Sequence, residues 1–480
     1  MRFRDGVRIV LGSGTGKVGM SLLAILVGIS VAVPFLFPLD FGLKSWNNPL
    51  VWADNPKAVP PAWTALLDGT KQPKHHAVEL EDPTSVFEQD QFATRTYSFP
   101  FTFRADAPPS FLSLTLGEIT FNGRPPTVTL TITRPDGATV RLVQQVIRGI
   151  RPDETPPVTR FAEAPQRTFL SGDSGAFQAA ADFARKQFGL PITESEIRGR
   201  LEAVIFGVPD PLNPVIEGFQ VLRGDYTATV RITTSDPRDT VESVKFVAGG
   251  GVYGLMGTDS QGRNLATGLL FGFPVALLIG VLTSIGATAI GTFFGIVSGF
   301  MGGKTDMAIQ RMSDILTNIP LLPILIFLIF ILGQKLWLVM AILVLFGWPG
   351  LTIILRSMVL QVRSGQLVEA TRALGASRRR IMFRHIFFQM APFIVAQMIF
   401  FTPAAILAEA GLSFLGLGDP SLPTWGQILE AGFRTGAIYV GYWWWILPPG
   451  ILIVITAMAF VLLALALEPV LNPRLRGRAT

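Results

Sequence analysis

The residues whose types could do chemistry in this chain are few, and most of them fail on spacing. Gly12-Ser13-Gly14-Thr15-Gly16-Lys17 imitates a loop that cradles phosphate on backbone N–H groups, but such a loop needs Gly at position 11 and Ser or Thr at position 18, where Leu11 and Val18 stand. Gly303-Lys304-Thr305 would need Gly at position 298 and meets Ser298. Neither stretch lies between a strand and a helix, so ATP binding by this chain is not expected. His75 and His76 are the one cluster among three histidines, and adjacent histidines in a Pro-rich stretch read as solvated rather than as a metal site. The chain has no cysteine, which excludes disulfides, thiolate metal sites and cysteine nucleophiles. The long apolar runs are almost free of acids, whereas intramembrane proteolysis or proton pumping calls for ionisable groups inside the bundle. Glu409, at the end of one run, is the nearest exception and reads as structural. An enzyme is not expected, nor a cofactor or metal bound by this chain.

What remains is interaction chemistry, concentrated in Glu369 to Pro392, an arginine-rich stretch between two apolar runs. Small Ala370, Ala373, Gly375 and Ala376 permit close approach to a partner surface, and Arg372, Arg384 and their neighbours can secure the contact. A short amphipathic helix docked in a partner's groove is the expectation; a juxtamembrane helix holding anionic lipid is the plainer alternative.

The elements that position this segment are apolar. Of 480 residues 49% are hydrophobic and 15% charged, well under the roughly 25% charged of a soluble domain. Crossing a hydrocarbon core takes about 20 apolar residues. Six runs qualify: Val18 to Leu39, part of Leu265 to Gly303, Ile315 to Gln334, Leu336 to Leu355, Ile386 to Ala408, and the later part of Thr435 to Leu467, where Tyr442-Trp443-Trp444-Trp445 form an interfacial lead-in. The first is read as an uncleaved span, since it lacks a small-x-small cleavage site. With six spans the N-terminal basics, Lys304, Arg311, the seven arginines from Arg356 to Arg384, and Arg474, Arg476 and Arg478 fall on one side, expected to be the cytoplasm, with both termini there. The formal net charge of +6 therefore reports topology and gives no support to nucleic-acid binding.

Residues 40–255 differ in character, holding 21 Lys/Arg against 25 Asp/Glu, while the rest of the chain holds 19 against 9. By topology this insert lies outside. Alternation in Val128 to Thr133, a turn at Pro135-Asp136-Gly137 and the run Thr139 to Val146 predict a β-hairpin with one buried face, and Asp225 to Ile232 repeats the pattern. Gly175 to Phe188 and Glu194 to Phe206 read as helices, the second opened by a Thr193-to-Glu196 capping box. The Pro-dotted first fifty residues of the insert read as loop.

Against that frame the spacing Glu369-Ala370-Thr371, three residues, Gly375, and later Arg384-His385-Ile386 resembles the cytoplasmic loop of dipeptide/oligopeptide (nickel) permeases of ATP-binding-cassette (ABC) importers, C-type subunit. Three further matches run in order. Leu255 to Asn264, with Gly257, Thr258, Asp259, Gly262 and Arg263, is similar to the segment before the family's second span. Ala408 to Gly418 with Trp425-Gly426, containing Glu409, Gly416 and Gly418, resembles its external segment after the fifth. Asn472 to Arg476 resembles its C-terminal end. Departures are Thr371 for Ala, Phe387-Phe388-Gln389 for Leu-Pro-Asn, and the insert, which is far longer than ordinary members carry.

The resemblance implies a polytopic α-helical membrane protein of six transmembrane helices in a type I importer-like bundle, interrupted by a β-rich (α+β) extracytoplasmic domain. Its parts are 1–39, cytoplasmic N-terminus and first span; 40–255, the insert; and 256–480, a five-helix core with coupling loop 357–391. It implies Glu369, Ala370, Arg372, Ala373, Gly375, Ala376, Arg384 and His385 as the coupling residues. It also implies a homologous B-type permease, two cytoplasmic ABC ATPases that bind ATP and Mg, an extracytoplasmic solute-binding protein and membrane lipid as partners, in a bacterial or archaeal inner membrane. The implied cargo is a short peptide; nickel chelates, oligosaccharides, or an anchored interaction protein acting through its insert are the alternatives.

Overall fold

The computed structural model describes residues 12–38, 40–67, 69–89, 92–213 and 215–471. The expectations for the N-terminal arginines and for Asn472 to Arg476 lie outside those residues. The chain divides into two compact units, Met1–Asn48 with Ala266–Thr480, and Pro49–Leu265.

The first unit opens with helix α1, Gly14–Leu36, capped by Ser13, whose side chain accepts a hydrogen bond from Gly16 N at 3.0 Å. The chain then leaves for the second unit, a β-sandwich. Its strands are β1 (His76–Leu80), β2 (Ser85–Gln89), β3 (Phe92–Phe103), β4 (Leu112–Leu116), β5 (Ile119–Phe121), β6 (Thr127–Thr133), β7 (Thr139–Val146), β8 (Val158–Arg160), β9 (Gln166–Phe169), β10 (Gly207–Val208), β11 (Gln220–Val221), β12 (Gly224–Thr234), β13 (Thr240–Val241) and β14 (Val244–Ala248). A five-stranded antiparallel sheet, ordered β2-β3-β12-β6-β7, faces a four-stranded one, β1-β14-β4-β9. Period-two alternation builds the core between them: Val128, Leu130 and Ile132 of β6, Tyr226, Ala228, Val230 and Ile232 of β12 and Leu112, Leu114 and Leu116 of β4 are all buried.

The expected hairpin is β6–β7, closed by Arg134 N donating to Ala138 O at 2.9 Å, with Gly137 in the turn. One detail departs from strict alternation. A register shift opposite Leu130 and Thr131 places Leu142 and Val143 in succession on the core side, as a β-bulge allows. Helix α2, Ser174–Phe188, capped by Asp173, lays Ala176, Phe177, Ala180 and Ala184 on that core. The helix expected over Glu194 to Phe206 is broken. The Thr193/Glu196 capping box forms, but the backbone turns left-handed at Gly199 (φ +77°), leaving Glu194–Ile197 and α3, Leu201–Phe206.

Back in the first unit come α4 (Leu265–Met301), α5 (Gly303–Asn318), α6 (Leu321–Leu332), α7 (Leu336–Arg363), α8 (Gln366–Ala373), α9 (Phe387–Phe414), α10 (Trp425–Arg434) and α11 (Trp443–Leu471). Among the described residues five helices are long and apolar enough to cross a membrane: α1, α4, α7, the continuous helix Arg378–Phe414 that contains α9, and α11. The run Ile315 to Gln334 is not one straight helix. It bends by 82° between α5 and α6, where Pro320 follows Ile319, so the number of crossings is six only if this bent pair counts as one. At 1.5 Å per residue α4 is about 55 Å long, more than a hydrocarbon core, so its lead-in and span form a single helix.

Helix association in lipid relies on close packing rather than hydrophobicity. Gly291, Gly295 and Gly299 form a row along α4 against α7. A Cβ at these positions would come within 2.9 Å of Trp348 O, 2.7 Å of Leu355 Cβ and 2.7 Å of Val359 Cβ. Thr352 Oγ1 donates across the seam to Gly291 O at 3.1 Å.

Candidate coupling site

The arginine-rich stretch folds as a helix, a tight turn and a second helix. Gly365 O starts α8 by accepting from Val368 N and Glu369 N at 3.0 and 3.1 Å. The helix ends where Leu374 N donates to Ala370 O (3.1 Å) and Ala376 N to Thr371 O (3.2 Å), a closure that puts Gly375 at φ +80°. Ser377 then caps the next helix, its side chain accepting from Arg380 N at 3.4 Å. Residues Ile381–Ile386 adopt π-helical hydrogen bonding and run straight into α9. A π segment inserts a local register change, a feature that recurs at functional positions in helices.

Two faces result. One is buried: Val368, Ile381, Met382 and Ile386 join Ile296 and Phe300 of α4 and Leu355 and Val359 of α7 in one apolar cluster. The other is bare: Glu369, Ala370, Arg372, Ala373, Gly375 and Arg384 are exposed, Ala376 and His385 half-buried. Leu374 stands 88% exposed among them. The eight residues singled out for coupling thus lie on one short hairpin, and the residues that seat it, Val368 above all, are ones that sequence reasoning did not select. Their signal was their apolar character inside a basic stretch.

Beside the hairpin, Arg356 of α7 holds Asp306 of α5 by a two-point ion pair, and Ser298 Oγ of α4 donates to the same carboxylate at 2.5 Å. Arg363 Nη1 reaches the carbonyls of Gly299 and Phe300 at 3.4 Å. These groups tie the ends of α4, α5 and α7 next to the cluster that seats the hairpin. Sequence reasoning missed Asp306, although it is one of only two acids between residues 266 and 365.

The other singled-out residues form two separate constructions, one in each unit. In the insert unit Asp259 is buried and accepts from Gln261 N and Arg263 N at 2.9 Å and from Arg263 Nε at 2.5 Å. Thr258 Oγ1 donates to Pro56 O at 2.7 Å, Asn55 Nδ2 to Gly262 O at 2.9 Å, and Ala58 N to Asp259 O at 2.8 Å. Gly257 to Arg263 is therefore a clasp on the Pro-rich segment 55–59. In the helical unit Glu409 is buried and accepts from Ser413 Oγ at 2.6 Å. Gly418 packs on Ser413, Gly416 O accepts from Gln334 Nε2 at 2.6 Å, and Trp425 Nε1 donates to Leu269 O at 2.9 Å. Among the described residues no group of three or more His, Cys, Asp or Glu could hold a metal ion.

The helical unit thus combines helices long and apolar enough to cross a membrane with a short hairpin whose basic face is bare. A family model described as binding-protein-dependent transport system inner membrane component matches residues 291–477. The dipeptide transport system permease protein DppC of Bacillus subtilis is 34% identical over 221 residues, 46% of this chain and 68% of that protein. The oligopeptide transport system permease protein OppC of the same organism is 34% identical over 46% of this chain and 72% of its own length. The chain belongs to this family, in its dipeptide/oligopeptide branch of C-type permeases. A solved inward-facing MetNI methionine ABC transporter aligns over 42% of this chain and 96% of its own at 21% identity and a TM-score of 0.31.

Proposed function

We propose that this chain forms half of the translocation pathway of an ABC importer for short peptides and relays the motion of cytoplasmic ATPases into its spans through Glu369 to His385. The observation that carries this reading is the two-faced hairpin, seated on α4 and α7 by Val368, Ile381 and Ile386 while its small and basic residues stay exposed. A push on the exposed face then moves α7 and α9 together, since the seat is one apolar cluster. The chain itself supplies no covalent chemistry.

On this reading the bent pair α5–α6 counts as one crossing, giving six spans with both termini and segment 357–391 in the cytoplasm and residues 40–255 outside. The partners are a homologous B-type permease, two ATPases that bind ATP and Mg, and an external solute-binding protein, in a bacterial or archaeal inner membrane. The relatives' peptide cargo supports the same cargo here.

The test is copurification from the native membrane with the ATPase activity of the eluate. Wild-type chain is expected to recover a second permease and ATPase subunits. Gly375→Glu, which places a charged side chain on the exposed turn, is expected to insert normally and lose peptide uptake. A folded lone chain without ATPase, or full uptake by the variant, overturns the reading.

A further inference from the structure

The insert unit contains a cavity of about 660 Å³ at one end of the sandwich, within the size range of small-molecule sites. Its wall is apolar where Phe101, Phe103, Ala105 and Ala248 line it and cationic at Lys71, Lys74 and Arg104; no Asp or Glu is among its lining residues. Among the described carboxylates beside the cavity, Asp106 is already engaged, accepting from Lys71 N at 2.9 Å and pairing with Arg223, and Asp54, which acts on His75, is paired with Arg167 and Lys245. Among the described residues neither Lys74 nor Arg104 makes an ion pair.

His75 and His76 also line this cavity, contrary to the reading of them as solvated. His76 opens β1 with its ring 5.2 Å from that of Phe101, and His75 sits edge-on to Tyr253 at 5.4 Å. His75 Nδ1 and His76 Nε2 are buried with no hydrogen-bond partner, which is rare for buried polar atoms. Burial lowers the pKa of both imidazoles, so at neutral pH each offers one donor and one acceptor.

We propose that this cavity binds a small organic carboxylate with an apolar body, the head group meeting Lys74 and Arg104 and the body lying on Phe101 and Phe103 beside the two imidazole rings. A guanidinium matches a carboxylate in two-point geometry, and the apolar wall rewards a body of about the size of a phenyl ring. The site is independent of the transport reading, because binding needs neither ATP nor partner subunits.

The test is calorimetric titration of the full chain in phosphatidylcholine nanodiscs with N-acetyl-L-phenylalanine, its amide and acetate. The acid is expected to bind about tenfold or more tighter than either, since the amide lacks the charge and acetate lacks the body. Arg104→Gln with Lys74→Gln is expected to weaken the acid about tenfold and leave the amide unchanged. Lys57→Gln, an exposed cation that does not line the cavity, should change nothing. Equal binding of acid and amide, an equal loss in Lys57→Gln, or no binding by a chain that still unfolds cooperatively on heating overturns the proposal.

Discussion

Arg356 and Asp306 stand fifty positions apart, yet Nε and Nη2 of the guanidinium each lie 2.6 Å from a different oxygen of the carboxylate. This fork joins α7 to α5 beside the seat of the arginine-rich hairpin. The side chains keep 32% and 15% of their surface, so solvent screens part of the attraction. Removing either partner should cost about 1 kcal/mol, and Arg356→Lys should recover little of it, because an ammonium cannot make the two-point contact. A double-mutant cycle with Arg356→Gln and Asp306→Asn, read by thermal unfolding in detergent, should give a coupling of that size. A coupling near zero would mean that the glycine row alone holds these helix ends.

The glycine row leads to a second prediction. Gly295→Leu would drive a side chain into Leu355 and Thr352, against which even a Cβ is too close. Separation of α4 from α7 or strain in both should cost about 2 to 3 kcal/mol. Gly350, with nothing within 4 Å of its added Cβ, serves as the control, and Gly350→Ala should leave the melting temperature nearly unchanged. Equal effects at the two positions would show that the α4–α7 seam is looser than its contacts indicate.

Two carboxylates in the insert should respond to pH in opposite directions. Glu154 accepts from both terminal nitrogens of Arg160 and from Arg151 N, and these bonds, the Arg160 pair foremost, hold its pKa down to about 2. A lowered folded value means stability that is present above the unfolded value near 4.5 and lost as pH falls toward about 2. Glu202 is buried against Ser171, and desolvation raises its pKa. It remains protonated when the unfolded chain has ionised, so its effect on stability worsens as pH rises above 4.5. Glu154→Gln should therefore flatten the acid limb of an unfolding profile, and Glu202→Gln should reduce the loss on the rising side. Identical profiles for both variants would contradict the opposed environments.

How much of this was legible depends on whether the signal is local. The β6–β7 hairpin was, because alternation and a Pro-Asp-Gly turn specify it within twenty residues. The broken helix at Gly199 and the bend at Pro320 were not, although both residues were in view. Hydrophobic periodicity runs through a breaker without changing, and only packing decides whether the chain bends there. The arginine-rich hairpin was legible as a basic stretch outside the apolar runs, but its seat was not, since Val368 acquires meaning only from Leu355 and Ile381. The two histidines misled for a related reason: a Pro-rich stretch suggests solvent, while the pairing of His76 with Ala248 carries the imidazoles to the mouth of a sandwich.

The last prediction concerns Glu409, whose carboxyl group takes hydrogen bonds from Ser413 and Thr424, the first of them kept in place by the absence of a side chain at Gly418. Ser413 Oγ donates to Glu409 at 2.6 Å, and a Cβ at Gly418 would fall 2.1 Å from that same oxygen and 2.9 Å from Ser413 Cβ. Gly418→Ala must therefore push Ser413 aside and strip the buried carboxylate of a donor. The cost should be about 2 to 3 kcal/mol, combining overpacking with an unsatisfied polar group. Ser413→Ala alone loses the donor without the clash and should cost about 1 to 2 kcal/mol. Adding Ser413→Gly to Gly418→Ala removes the clashing atoms, so the pair should be more stable than Gly418→Ala alone, a non-additive recovery visible in melting temperatures. If the double variant is worse than either single one, Gly418 serves the turn after α9 rather than the Glu409 site, and the buried carboxylate is held by other groups.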